Sequence, residues 1–179
     1  IRGVRNGDSP QWLKDRLSAI GLRPISVLVD ITNYFAFDLA RPLHVFDADR
    51  VRGDIRARLS RAGESLDALN GKTYGLDEGV TVIADESGPL ALGGVIGGTE
   101  SGCTEATTAV FLEAALFDPI RTAATGRRLE ILSDARFRFE RAVDPAFAVA
   151  SMELATRMIL DLCGGEASEP VIAGTVPVW

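Results

Sequence analysis

The chain has 179 residues, of which 46% are hydrophobic, and a formal net charge of −6 at pH 7. That length supports one well-buried domain and is short for two, and no apolar run reaches the ~20 residues a membrane span needs. The acidic balance excludes a module that grips nucleic acid through its overall field, so an RNA partner would find most of its phosphate contacts elsewhere.

Two isolated cysteines, Cys103 and Cys163, are a poor disulfide framework and read as thiols of a reduced, cytoplasmic protein. With His44 as the sole histidine they cannot supply the usual ligands of a structural zinc site, so no metal is expected. The chain opens at Ile1 without a signal peptide and stops at Pro177-Val178-Trp179. It reads as one domain, 1–179, excised from something longer.

In chain order, Ser9-Pro10 is a helix start, a cap followed by a first-turn proline. Leu13, Leu17 and Ile20 follow at helical spacing, and Gly21 closes the helix. Val27, Leu28, Ile31, Tyr34 and Phe35 form a second stripe, with Arg41-Pro42 expected to end it. From Ile55 to about Ala115 short apolar runs alternate with turn signals. Asn70-Gly71 marks a hairpin between Leu66-Leu69 and Thr73-Tyr74. Val80–Ala84, Pro89–Leu92 and Val110–Glu113 read as further strands. Asp118-Pro119 and Asp144-Pro145 are caps with first-turn prolines. The second of these opens the longest helix, which runs to about Cys163 and ends at Gly164-Gly165. Strands in the middle and helices at both ends predict an α+β fold: central mixed or antiparallel β layers with helices from both ends of the chain packed against them.

The most unusual local feature is Gly93-Gly94-Val95-Ile96-Gly97-Gly98. Such a run gives up side-chain packing and lets a backbone approach a ligand closely. No Lys-Ser/Thr follows, so it is not a Walker loop. The Gly94–Gly97 spacing matches the GXXG loop of KH domains, yet it follows a strand instead of joining helices. A bulge or tight corner at a sheet edge is the plain alternative. Glu113, inside the apolar strand Phe111-Leu112-Glu113-Ala114-Ala115, either points outward or lines a pocket, since a buried carboxylate needs a partner. His44 is structural or suited to proton transfer and water positioning near neutral pH. Arginines thicken from Arg121 to Arg141, as a solvated helical face or as an RNA-facing patch.

The order of motifs resembles the central editing module of bacterial phenylalanyl-tRNA synthetase β subunits along nearly the whole chain. The matching stretches are Ile20-Gly21-Leu22-Arg23, Val29-Asp30-Ile31-Thr32-Asn33-Tyr34, and Arg41-Pro42-Leu43-His44-Val45-Phe46-Asp47. They continue with Ala91–Gly98, Leu112-Glu113-Ala114-Ala115, Ser133-Asp134-Ala135, Arg138-Phe139-Glu140-Arg141, Val143-Asp144-Pro145 and Cys163-Gly164-Gly165-Glu166. The resemblance implies hydrolysis of the ester joining tyrosine to the 3′ end of tRNA(Phe). It implies that Glu113 reads the tyrosine phenol and that Ala135 leaves room for the ring. Ser133 stands where relatives often carry threonine. Gly94 and Gly97 would be pocket wall, His44 and Arg23 would lie near the tRNA end and the attacking water, and Thr32 and Asn33 would support them.

The implied partners are the tRNA(Phe) 3′ end, the synthetase α subunit and the remaining β-subunit domains, with no DNA and no membrane. ATP and magnesium belong to the synthetic site of such a synthetase, so no cofactor is expected in this domain. The rival reading is a catalytically silent RNA- or protein-binding or structural module; a free-standing deacylase acting in trans is a further one.

Overall fold

The computed structural model describes residues 1–175; Pro177, Val178 and Trp179 lie outside the described residues. Helix α1 spans Gln11–Ala19 and buries Leu13 and Leu17. Ser9 does not cap it: its hydroxyl donates to the buried Asp30 carboxylate at 2.6 Å, a tertiary bond that fixes α1 against the next helix. Gly21, at φ 82°, closes α1. Its N–H donates to Ser18 O and that of Leu22 to Leu17 O, the paired bonds of a glycine C-cap. Ile20, expected on the buried stripe, becomes the C-cap and is 52% exposed.

Helix α2, Val27–Asp38, keeps Val27, Leu28, Ile31 and Phe35 inside. It stops before Arg41-Pro42. Ala40 adopts φ 51° and the Arg41 N–H turns back to Phe35 O, so the chain leaves the helix by a left-handed residue and not by proline.

Eight short strands follow: β1 (His44–Asp47), β2 (Arg56–Leu59), β3 (Glu64–Asp67), β4 (Thr73–Leu76), β5 (Thr81–Ala84), β6 (Pro89–Leu92), β7 (Ile96–Gly97) and β8 (Val110–Glu113). The expected hairpin is β3–β4, with Gly71 at φ 78° in its turn. β2-β5-β6-β7 form a four-stranded sheet, while β1 pairs with β8 alone. Every ladder among the described residues is antiparallel, which gives the α+β class its antiparallel form.

Asp118 caps α3 (Pro119–Arg128), accepting from Arg121 N–H. A short helix α4 (Asp134–Phe139), not anticipated from the sequence, is capped by Ser133. Asp144-Pro145 initiates a single 3-10 turn, Pro145–Phe147, and the longest helix, α5 (Ala148–Cys163), starts just beyond it. One core joins α1, α2 and α5 to the inner face of β1 and β8 through Leu28, Val45, Leu112 and Ile159. A second gathers Leu66, Val82, Leu92, Val95 and Ile131 around the hairpin and sheet, and a third, smaller one holds Phe46, Ile83, Leu90 and Ala91.

Candidate active site

His44 opens β1 and Glu113 closes β8, and the two are register partners. Opposed residues of an antiparallel pair project to the same face with Cβ atoms about 5 Å apart. Both line a cavity of about 60 Å³ where the three cores meet, together with Pro42, Ile83, Gly94, Gly97, Phe117, Ala135 and Phe139. Phe117 and Phe139 meet edge to face at 5.0 Å, so the wall facing the pair is aromatic.

The His44 Nε2 is buried and has no hydrogen-bond partner among the described residues. Its ring packs edge-on to Phe46 at 4.4 Å. Burial disfavours the imidazolium and pushes the pKa down to about 4, so the ring is neutral at neutral pH. Glu113 lines the same cavity, with no hydrogen-bonding partner for its side chain among the described residues, and burial raises its pKa to about 7 against the opposing pull of Arg41. Arg41 is 1% exposed. It donates to Ala115 O at 3.1 Å and to Asp144 O at 3.3 Å, so it ties the exit of β8 to the approach to α5.

The glycine run is the turn from β6 to β7 and its start, so the tight corner at a sheet edge and the pocket wall are one feature. Gly94 has φ 71°, and a Cβ there would lie 2.9 Å from the Phe117 ring. A Cβ on Gly97 would lie 2.5 Å from His44 Cε1, so glycine is what allows the imidazole to pack against β7. In this turn the N–H groups of Gly93, Val95 and Gly98 are spent on Thr81, Leu92 and Leu90 carbonyls. The Gly94 N–H has no such acceptor among the described residues.

α4 brings Ala135 to the cavity. The Ser133 hydroxyl is engaged elsewhere: it donates to Val95 O at 2.6 Å and accepts from Arg136 N–H at 3.1 Å, which staples α4 to the glycine turn. Arg23 is exposed in the α1–α2 connection and is not part of the lining. Thr32 donates back to Val29 O within α2, and Asn33, half-buried on the same helix, is likewise outside the lining. Pro42, Ile83, Phe117 and Phe139 were not foreseen as lining; Pro42 stood two residues before His44 in one motif, whereas nothing local marks Ile83 or Phe117.

Burial pushes the thiols up, Cys103 to about 12 and Cys163 to about 11, so neither is a nucleophile near neutral pH. Among the described residues no cluster of His, Cys, Asp and Glu could hold a metal ion, and no helix is long and apolar enough to cross a membrane. The arginine-rich stretch divides. Arg136 is buried, bonded to Glu140 and Ile131 O, and only its neighbours remain to face outward.

The B3/4 domain pattern matches residues 1–164. The chain is 80% identical over its whole length to the phenylalanine–tRNA ligase β subunit of Paramagnetospirillum magneticum, covering 22% of that protein. It is 66% identical to that of Rhodospirillum rubrum and 62% identical to that of Cereibacter sphaeroides, covering 100% and 99% of this chain and 22% of each relative. The chain thus spans about a fifth of the length of these relatives. With the pattern matched over residues 1–164, this chain belongs to the B3/4 domain family, and it is similar to one stretch of phenylalanine–tRNA ligase β subunits.

Proposed function

We propose that this chain hydrolyses the ester of tyrosine wrongly attached to phenylalanine tRNA, within a cytoplasmic phenylalanine–tRNA ligase that also contains an α subunit and further β-subunit domains. The observation that carries the reading is the opposition of His44 and Glu113 in one cavity walled by aromatic rings and the glycine turn. Tyrosine exceeds phenylalanine by one hydroxyl, which a hydrophobic synthetic pocket rejects only about a hundredfold, whereas a site that hydrogen-bonds that hydroxyl discriminates by about 10⁴–10⁵. Glu113, unpartnered among the described residues, supplies the acceptor. Left without a phenol, a buried acceptor is penalised, and the correct phenylalanyl ester is spared.

A ring held near pKa 4 is a weak base. His44 therefore orients the attacking water through its unpartnered Nε2 and does not carry the proton away. The Gly94 N–H is the donor of the turn left free for the oxyanion of the tetrahedral intermediate. Ala135 keeps space for the phenol ring. Arg23, Thr32 and Asn33 act, in this reading, only at a distance from the reacting atoms, and Ser133 acts through the position of the turn. No cofactor takes part.

The test is deacylation of tyrosyl-tRNA(Phe), with phenylalanyl-tRNA(Phe) as control, by the complete synthetase carrying this sequence or its Glu113→Ala form. Selective loss of tyrosine hydrolysis in the variant is the expected result. Equal hydrolysis by both removes Glu113 from the site; no hydrolysis by either favours a silent binding or structural module.

A further inference from the structure

Arg41 is sealed inside the domain, 1% exposed. Burying a guanidinium is costly unless each N–H is bonded and the charge is matched. Neither condition is met. The terminal nitrogens donate to Ala115 O and Asp144 O, but the buried Nε has no partner among the described residues. No carboxylate among the described residues forms a salt bridge with it. Two carbonyl acceptors call for N–H donors, not for a positive charge. A glutamine amide also carries two N–H donors and is cheaper to bury. The tie between the exit of β8 and the approach to α5 therefore accounts for the donors of Arg41 and leaves its charge unexplained.

Two carboxylates feel that charge. Burial lowers the pKa of Arg41, and Asp144 and then Glu113 pull it back up. Asp144 is exposed, so water and salt screen its attraction. Glu113 lines the cavity, where screening is weaker. Ala115, the acceptor at 3.1 Å, is two residues beyond Glu113, and Arg41 is three residues before His44, the ladder partner of Glu113. The guanidinium thus sits at the end of the ladder where the two site residues meet, outside the lining of their cavity.

Few other charges face Glu113. His44 across the ladder is neutral at neutral pH. Asp47 is at the far end of β1, opposite Val110, with Asp49 and Arg50 beyond it. On α5, Glu153, Arg157 and Asp161 are exposed, off the face that buries Ala155 and Ile159. On α4, Arg136 is bonded to Glu140 and Arg138 lies over the Phe37 ring. Arg41 is the charge that opposes burial at Glu113.

We propose that Arg41 is a positioning residue for selectivity: its fixed charge, held beside the β1–β8 ladder, keeps Glu113 ready to ionise and accept a phenol, while Arg41 itself never meets the substrate. The assignment rests on the hydrolytic reading above. An ionised carboxylate is the stronger acceptor. Without the guanidinium, the apolar cavity would hold the carboxyl protonated to higher pH, and the phenol would be read poorly.

The experiment uses the complete synthetase and follows the ratio of tyrosyl- to phenylalanyl-tRNA(Phe) hydrolysis against pH. A ratio from one preparation does not depend on how much of the enzyme is folded. Arg41→Gln keeps N–H donors and removes the charge; Arg41→Lys keeps the charge. In Arg41→Gln the rise of the ratio is expected to move up by about one pH unit, the low end of what an opposite charge a few ångströms away does, which cuts the ratio at neutral pH about fivefold. Arg41→Lys is expected to bring the rise back towards its original place. Added to Glu113→Gln, Arg41→Gln should change the ratio no further, because it acts through that carboxylate. An unmoved rise in Arg41→Gln overturns the assignment, whatever its Tm, and leaves Arg41 as a tie between β8 and α5. So does an equal displacement in Arg41→Gln and Arg41→Lys, which would place the cause in geometry and not in charge, and so does a ratio that never rises in the unmodified enzyme. If the unmodified enzyme leaves the tyrosyl ester intact, the hydrolytic reading falls and takes this assignment with it, a failure seen before any variant is compared.

Discussion

His44 and Glu113, partners across the β1–β8 ladder, are displaced in opposite directions by the same cause: burial keeps the imidazole neutral down to about pH 4 and the carboxyl protonated up to about pH 7. The pair is thereby held close to electrical neutrality over the range in which a free histidine and a free glutamate would both be charged.

Stability should show this as a near-cancellation. Glu113, raised from 4.5 to about 7, binds its proton more tightly when folded, so its contribution is full below pH 4.5 and is lost as pH rises to about 7. His44, lowered from 6.5 to about 4, contributes fully above pH 6.5 and loses that contribution as pH falls towards 4. Each swing is on the order of 2 kcal/mol after allowance for solvent near the cavity mouth. Unfolding of the unmodified chain by urea should therefore depend weakly on pH between about 4.5 and 6.5 through this pair. The His44→Gln chain should lose stability as pH rises across that window, and the Glu113→Gln chain should gain it. Parallel pH profiles for the two variants would remove burial as the common cause.

Selectivity should follow the glutamate. The ionised carboxylate is the stronger acceptor for a phenol, so the ratio of tyrosyl to phenylalanyl ester hydrolysis should climb as pH passes through about 7. The ratio matters because alkali accelerates both esters. In Glu113→Gln the ratio should be flat. A ratio independent of pH in the unmodified enzyme would show that ionisation of Glu113 plays no part in recognition.

Gly97→Ala forces a methyl onto His44 Cε1 and within 3.0 Å of Leu69 Cδ1, so the imidazole must leave its place against Phe46. Overpacking of this kind costs about 1–3 kcal/mol, and tyrosyl-tRNA hydrolysis should fall by at least about tenfold, because a small misplacement of a positioning group is costly. Comparing Tm and deacylation rate with those of Gly75→Ala, where a Cβ meets nothing within 4 Å, separates the local clash from a general cost of alanine.

Ser133→Ala removes both the α4 cap and the bond to Val95 O. The cap alone is worth about 1 kcal/mol. Ser133→Thr keeps the hydroxyl and should behave as the parent does. The measurement is the urea midpoint alongside the deacylation rate: loss of rate in Ser133→Ala with an unchanged midpoint would mean that the hydroxyl meets the substrate and does not act through the turn.

The strands with clean apolar runs were legible, β5, β6 and β8 among them, as was the Asn70-Gly71 hairpin. β1 was not, because His-Val-Phe-Asp is too short to show alternation and follows a proline. β2 was hidden by its own composition: Arg56-Ala57-Arg58-Leu59 is a mostly exposed edge strand, and edges are protected by charge. In the site, Glu113 announced itself as a carboxylate in an apolar strand. Arg41 did not, since its burial is decided by carbonyls of Ala115 and Asp144 far away in sequence. Ser133 kept its hydroxyl for the same kind of distant acceptor, and Ser9 exchanged a local cap for Asp30.

The β1–β8 ladder joins residues 44–47 to residues 110–113, and every other strand among the described residues lies between them. It is the clasp of a long inserted loop, and His44 and Glu113 are on either side of that clasp. Closing such a loop costs entropy that only the finished insertion offsets, and contacts so distant in sequence form slowly. A chain emerging from the ribosome thus has no pocket until Glu113 has been made and β2 to β7 have folded. A nick anywhere in that insertion would loosen the pair without touching either residue.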